Sequence, residues 1–186
     1  MQTIQPVHME SADGPILGLL EILKSEQFAF FNEKGEMSNM VLTMAQSART
    51  LDGYLQFHRM LTHGKLTSTF REQIALAVAQ ANHCQYSLAQ HASRAAKLGM
   101  SKEEILASRE GRANDLRGRV CLPFVQALVT RNGSVDVVDL RDAGFSDAEI
   151  VEVIAQAALN IFENTFAAVA RLELDYPRAA QLAKAA

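Results

Sequence analysis

Between Glu72 and His91 the chain reads EQIALAVAQANHCQYSLAQH, a stretch that holds a carboxylate, a thiol, a hydroxyl and an imidazole. Cys84, Ser87 and His91 follow at three and four residues, the spacing that stacks side chains on one helix face. A thiol, a hydroxyl and a base on one stripe, with an acid nearby, suit nucleophilic or redox thiol chemistry. Ser87 stands where a second cysteine would have completed a Cys-x-x-Cys pair. Asn82 reads as the cap of the helix that carries them. That places Cys84 in the first turn, where unpaired backbone N–H groups favour an anion. On one continuous helix Glu72 and Cys84 would sit about 120° apart. A break near Asn82 lets the Glu72 helix fold back and bring its carboxylate toward His91. A plainer assignment competes from the residues alone. Thr69-x-x-Glu72 has the form of a capping box, Cys84 suits a small buried hydrophobe, and His91 suits a hydrogen-bonded core histidine.

The elements that must position these groups all read as helices. Leu51, Tyr54, Leu55, Phe57, His58 and Leu61 follow helical spacing from Ala48, before a stop at Gly64. Ile74, Leu76, Ala77 and Val78 repeat the pattern over 70–81. The next helix is predicted from Asn82 to about Leu98, closed by Gly99. Ser101 to Glu104 is a capping box that opens a short helix. A helix over 116–130 follows, then a turn at Asn132-Gly133. Ser134 reads as the cap of a short helix ending at Gly144. Ser146 to Glu149 is a second capping box, opening the longest helix, roughly 147–172. HASRAAKLGMSKEEI (91–105) and DVVDLRDAGFSDAEI (136–150) share one order of features, a faint internal echo that falls short of a solenoid repeat. Val135 to Val138 is the clearest β-like stretch. The expectation is an all-α domain of about eight to ten helices.

A chain of 186 residues is most simply one domain, here 1–186, with room for a real core. Its 48% hydrophobic and 21% charged residues are ordinary for a globular protein. Eighteen basic and 21 acidic residues give a net charge of −3 with no long like-charge block, which argues against nucleic acid as a partner. The N-terminus lacks a basic cluster followed by an apolar run. No stretch reaches the roughly 18 uninterrupted apolar residues of a membrane span. Two cysteines 37 positions apart do not make a disulfide framework, so a reduced, cytoplasmic protein without membrane association is expected.

The pattern of Glu72, Cys84, Tyr86-Ser87 and His91 resembles the core motif of the carboxymuconolactone decarboxylase and alkylhydroperoxidase D-like superfamily. In the peroxidase-related branch that motif is Glu, eleven residues, Cys-x-x-Cys, three residues, His. HASRAAKLGMSKEEI resembles the family's following segment, and GFSDAEIVEVIAQAALNIFENTFAAVARLELDYP (144–177) resembles its C-terminal helix and ending. The likeness covers roughly 40–177. It implies an alkylhydroperoxidase D-like helical bundle that forms homo-oligomers: trimers, hexamers or dimers. In the peroxidase branch, glutamate and histidine relay protons while the second cysteine attacks the hydroperoxide and the first closes a disulfide. The resemblance gives Glu72 and His91 the relay, Cys84 the first cysteine and Ser87 the attacking position. A serine hydroxyl cannot be oxidised to a sulfenic acid, so the disulfide-forming cycle is not expected. Three routes stay open. Cys84 acts alone on a hydroperoxide and an external thiol reductant rescues it. Or His91 and Glu72 perform acid–base chemistry on a small carboxylated lactone, as a decarboxylase or isomerase. Or the site only binds a ligand.

Other residues carry weaker signals. His83, Cys84 and His91 offer three potential metal ligands, but His83 lies about 80° of helix from His91, so neither a metal nor a cofactor is expected. Cys121, in an apolar run, reads as core rather than as a distant resolving cysteine. Asn160 and Asn164, polar within the apolar final helix, face either the pocket or a subunit interface. Met37, Met40 and Met44 recur at helical spacing and read as core or interface.

Overall fold

The computed structural model describes residues 2–24 and 30–180. Among these the chain forms nine α-helices, no strand, and one isolated antiparallel bridge between Phe31 and Met37. A short 3-10 turn at Met9–Ser11 precedes α1 (Gly14–Leu23), α2 (Asn39–Met44), α3 (Ala48–Thr62), α4 (Ser68–Ala81) and α5 (Gln85–Lys97). Then follow α6 (Lys102–Arg109), α7 (Leu116–Thr130), α8 (Val138–Asp142) and α9 (Asp147–Ala170). The all-α expectation holds, helix number included.

Local chemistry accounts for most helix ends. Ser101 and Ser146 each close a complete capping box, with Glu104 and Glu149 reaching back to the cap N–H. Thr67 accepts from the Phe70 N–H and starts α4 two residues earlier than the apolar pattern suggests. Thr69 is therefore not a cap, and the Glu72 side chain is released from that duty. Two further boundaries toward the C-terminus differ from the sequence reading. The short helix before Gly144 begins at Val138, capped by Val137 without a side-chain bond, and Ser134 lies in the preceding turn. Helix α9 stops at Ala170 because Arg171 turns left-handed, φ 51°. Helix α1, unmarked by the sequence patterns, packs Leu20 and Leu23 into the interior, and α2, signalled only by the methionine spacing, packs Met40 and Met44 there.

Helix α4 is the centre of the bundle, packed against α5, α6, α7 and α9. Its residues from Ile74 to Ala79 are all buried, the signature of a helix surrounded by protein. Their alanines let neighbouring helices approach closely. Two main apolar clusters result. One joins α1, α2, α3, the start of α5 and the end of α9, and it holds Cys84, Met37, Met40 and Met44. The other joins α4, α7, α8 and the first half of α9, and it holds Cys121. The methionines are thus core residues. Burial pushes the Cys121 thiol up to about 12, so it behaves as an inert packing residue set apart from Cys84. By length and composition α9 could cross a membrane, but half of its most apolar window is buried inside the bundle.

Candidate active site

Helix α4 does not run into a new helix at Asn82, as the sequence suggested. Asn82 is the C-cap of α4, His83 takes the left-handed conformation at φ 53°, and Cys84 is the N-cap of α5. The Cys84 N–H donates to Ala79 O at 3.0 Å and the His83 N–H to Gln80 O at 3.1 Å, the paired bonds of a Schellman motif. The Cys84 carbonyl then accepts the first bond of α5, from the Leu88 N–H. One residue closes a helix with its N–H and opens the next with its C=O, which leaves the thiol held at a rigid corner. His83 itself is exposed and supports only the turn. Left-handed backbone is costly for a residue with a Cβ, so His83→Gly is expected to stabilise the fold by about 0.5–1 kcal/mol in urea denaturation. A loss of stability would show that the imidazole makes a compensating contact.

The corner aims two groups of side chains. Cys84 donates from Sγ to Ser87 Oγ at 3.3 Å, both residues being buried. One turn on, His91 Nδ1 stands 2.8 Å from Glu72 Oε2, so the preceding helix does bring its carboxylate to the histidine. The structure adds a residue that sequence reasoning missed. Glu163 of α9 is almost wholly buried, and its Oε2 lies 3.5 Å from His91 Nε2. Tyr54 donates to Glu163 Oε1 at 2.8 Å, and Asn160 Nδ2 donates to Oε2 at 3.0 Å. His91 therefore sits between two carboxylates supplied by α4 and α9.

Electrostatics fix the charge states. Burial alone would hold His91 neutral, but Glu72 and Glu163 outweigh it and lift its pKa to about 9. Burial likewise opposes an ionised Glu163, yet His91 and Arg94 hold its carboxyl well below the usual range. Arg94, buried on the same stripe of α5, stays charged against its own burial chiefly through Glu72. His58 goes the other way. Burial and then Arg94 push it down to about 4, leaving it neutral. A small cavity of about 120 Å³ opens on this array, walled by His58, Glu72, His91, Arg94, Asn160 and Glu163. Cys84 and Ser87 are not on that wall. By helical rise Cys84 is about 10 Å from His91 along α5, with Ser87 between them.

Of the residues singled out by sequence, Glu72 and His91 meet directly and Cys84 pairs with Ser87. Asn160 turns to the cavity. Asn164, also buried, has both side-chain polar atoms without a hydrogen-bond partner among the described residues. Arg94 was within reach of the same argument, since it continues the stripe of Cys84, Ser87 and His91. The signal for Glu163 was its being the sole charged residue between Glu152 and Arg171. Among the described residues no three His, Cys, Asp or Glu side chains are grouped to hold a metal.

Comparison with known proteins agrees with this architecture. Residues 48–118, which include Glu72, Cys84 and His91, match the sequence model of the carboxymuconolactone decarboxylase family. A peroxidase-related protein from Silicibacter sp. TM1040 has 20% identity and a TM-score of 0.75, with 92% of each chain covered. An alkylhydroperoxidase AhpD core protein from Ralstonia eutropha JMP134 has 20% identity and a TM-score of 0.76, with 94% of each covered. A cysteine-to-alanine variant of the debrominase Bmp8, in complex with 2,3,4-tribromopyrrole, has 17% identity and a TM-score of 0.76, covering 94% of this chain and 92% of that one. No curated protein sequence matches the chain. Over 48–118 the chain carries the sequence pattern of the carboxymuconolactone decarboxylase family, and across its length it has the all-α fold of these alkylhydroperoxidase D-like structures.

Proposed function

We propose that the protein is a one-cysteine thiol oxidoreductase that reduces small hydroperoxides, with Cys84 as the redox atom. The observation that carries this reading is the hydrogen bond from the Cys84 thiol to Ser87, on the stripe that leads to a His91 hydrogen-bonded to Glu72 and faced by the Glu163 carboxylate. In the first half-reaction the Cys84 sulfur attacks the terminal oxygen of ROOH and the O–O bond breaks. RO⁻ leaves and takes a proton from the array around His91, the thiol proton replaces it by way of Ser87, and Cys84 becomes a sulfenic acid. An external thiol then attacks that sulfur and releases water. A second thiol frees Cys84 and leaves with the first as a disulfide. Both cysteines are free, as an enzyme resolved by external thiol in the cytoplasm needs, and a homo-oligomeric state belongs to the same reading.

A second reading has its own observation. The cavity wall carries acid–base groups and a buried arginine but not Cys84, which suits proton transfer on a small carboxylated lactone by His91 and Glu72. One experiment separates the two. After a hydroperoxide pulse in the presence of a sulfenic-acid trap, mass spectrometry is expected to find the adduct on Cys84 and none on Cys121. Absence of the adduct at Cys84 while peroxide is consumed would sink the thiol reading.

A further inference from the structure

Helix α9 buries four polar side chains, Gln156, Asn160, Glu163 and Asn164. Three of them form a chain. Gln156 Nε2 donates to Asn160 Oδ1 at 3.3 Å, and Asn160 Nδ2 donates to Glu163 Oε2 at 3.0 Å. Asn164 stands outside it. The residue is 2% exposed and is not on the wall of the cavity beside His91. Neither its Oδ1 nor its Nδ2 has a hydrogen-bond partner among the described residues. Burying a carboxamide with both ends unbonded is destabilising, and native proteins keep few such groups. His91 Nε2, which faces Glu163 Oε2 at 3.5 Å, is likewise without an aligned hydrogen bond. Two anchors place Asn164 against the redox stripe. On α4, Glu72 meets His91 and Ala79 O receives the Cys84 N–H, so α5 runs back along α4 with His91 level with Glu72 and Cys84 level with Ala79. Helix α9 runs along α4 in the same direction as α4. Glu152 near its start accepts from the Lys65 and Leu66 N–H groups just ahead of α4, and Glu163 reaches the level of His91. At about 1.5 Å per residue on each helix, Asn164 falls between the levels of His91 and Cys84. Ser87 occupies that interval on α5, between the thiol and the imidazole.

We propose that Asn164 is a catalytic residue of the thiol reaction, its carboxamide binding the O–O–H group of the hydroperoxide between Cys84 and His91. The inference rests on the thiol reading above and adds to it the group that holds the substrate. A hydroperoxide presents one donor, its O–H, and acceptor lone pairs on both oxygens. Asn164 presents the complement within one planar group. Its Oδ1 accepts from the O–H, and its Nδ2 donates to the oxygen that carries R. As the Cys84 sulfur attacks the terminal oxygen, the S–O bond forms, the O–O bond breaks and the electron pair passes to RO⁻. The Nδ2 donor then faces the developing charge, where a fixed hydrogen bond lowers the barrier most. His91 Nε2 supplies the proton that RO⁻ takes, and the thiol proton returns to the imidazole by way of Ser87. Sulfur ends oxidised as the sulfenic acid, and the peroxide ends reduced to ROH. The orphaned amide is thus a group the fold leaves unbonded for the substrate to complete.

Asn164→Leu in the full chain tests it, because leucine is close to asparagine in size and makes no hydrogen bond. With hydrogen peroxide as the probe and a sulfenic-acid trap present, adduct formation at Cys84 is expected to slow at least about tenfold, as the loss of one transition-state donor does. Alkylation of Cys84 by iodoacetamide needs the thiol but no peroxide-binding group, and it should stay within about twofold of the wild-type rate. The urea midpoint should hold or rise, since an apolar group replaces an unsatisfied buried amide. Adduct formation at the wild-type rate in Asn164→Leu would overturn the proposal and leave the thiol reading standing. So would an equal slowing of alkylation, which would mean that the substitution merely moves Cys84, or a lower urea midpoint, which would mark an amide that the fold requires. A wild type that forms no adduct at Cys84 would instead sink the thiol reading itself, and the proposal with it.

Discussion

Cys84→Ser is expected to lower hydroperoxide consumption at least about a hundredfold, and Ser87→Cys to raise turnover with a dithiol reductant about tenfold or more. The first effect follows from the chemistry, because no second thiol is placed to take over the cycle: Cys121 is buried in the other apolar cluster. The second follows from geometry. Cys84 Sγ already stands 3.3 Å from the Ser87 oxygen, so a sulfur at that position is within easy reach of a bond. Oxidised Ser87→Cys protein would then resolve within the chain, at a high effective concentration, instead of waiting for an external thiol. Trapped sulfenic acid should fall in that variant as the internal disulfide forms. Equal peroxide consumption by wild type and Cys84→Ser would end the thiol reading. His91→Asn, assayed on small lactone acids, would then become the informative variant.

The residues that proved legible in sequence were those whose partners lie nearby in the chain. The capping boxes at Ser101 and Ser146 are closed within three residues, and the 116–130 helix falls where it was expected, with Asp115 as the cap that the structure adds. The approach of Glu72 to His91 was legible for the same reason, given one break between two helices. The position of that break was misread because the left-handed residue of a Schellman motif is usually glycine. Here it is His83, so Asn82 looked like the start of a helix when it is the end of one. Glu163 lies 72 residues from His91 in sequence, and only the packing of α9 on α4 and α5 brings it to the imidazole. Tyr54 and His58 sit on a regular apolar stripe of α3. Nothing in their spacing distinguishes a phenol that binds a buried carboxylate from one that merely packs.

Glu163→Gln is expected to change both the stability of the protein and its dependence on pH. In the wild type His91 holds its proton to about pH 9 when folded but only to about 6.5 when unfolded. The folded state therefore binds the extra proton between those values. The contribution of His91 is complete below pH 6.5 and drains away as pH rises through 9. His58 acts at the opposite end. Its pKa is pushed down to about 4, so its contribution is lost as pH falls from 6.5 toward 4, and stability should peak near 6.5. Glutamine keeps an oxygen for the Tyr54 hydroxyl but removes the charge that faces His91 Nε2 and Arg94. Burial then prevails more easily over Glu72 alone, and the His91 pKa falls. Breaking a buried ion pair from one side costs about 3–5 kcal/mol. That deficit should be widest near pH 6.5 and should narrow above 9, where His91 is neutral in both proteins. Urea denaturation of the two at pH 6.5 and 9.5 measures it, with the imidazole proton followed by NMR. Parallel stability profiles, or a His91 titration unmoved by the substitution, would show that Glu163 packs against the histidine without controlling its charge.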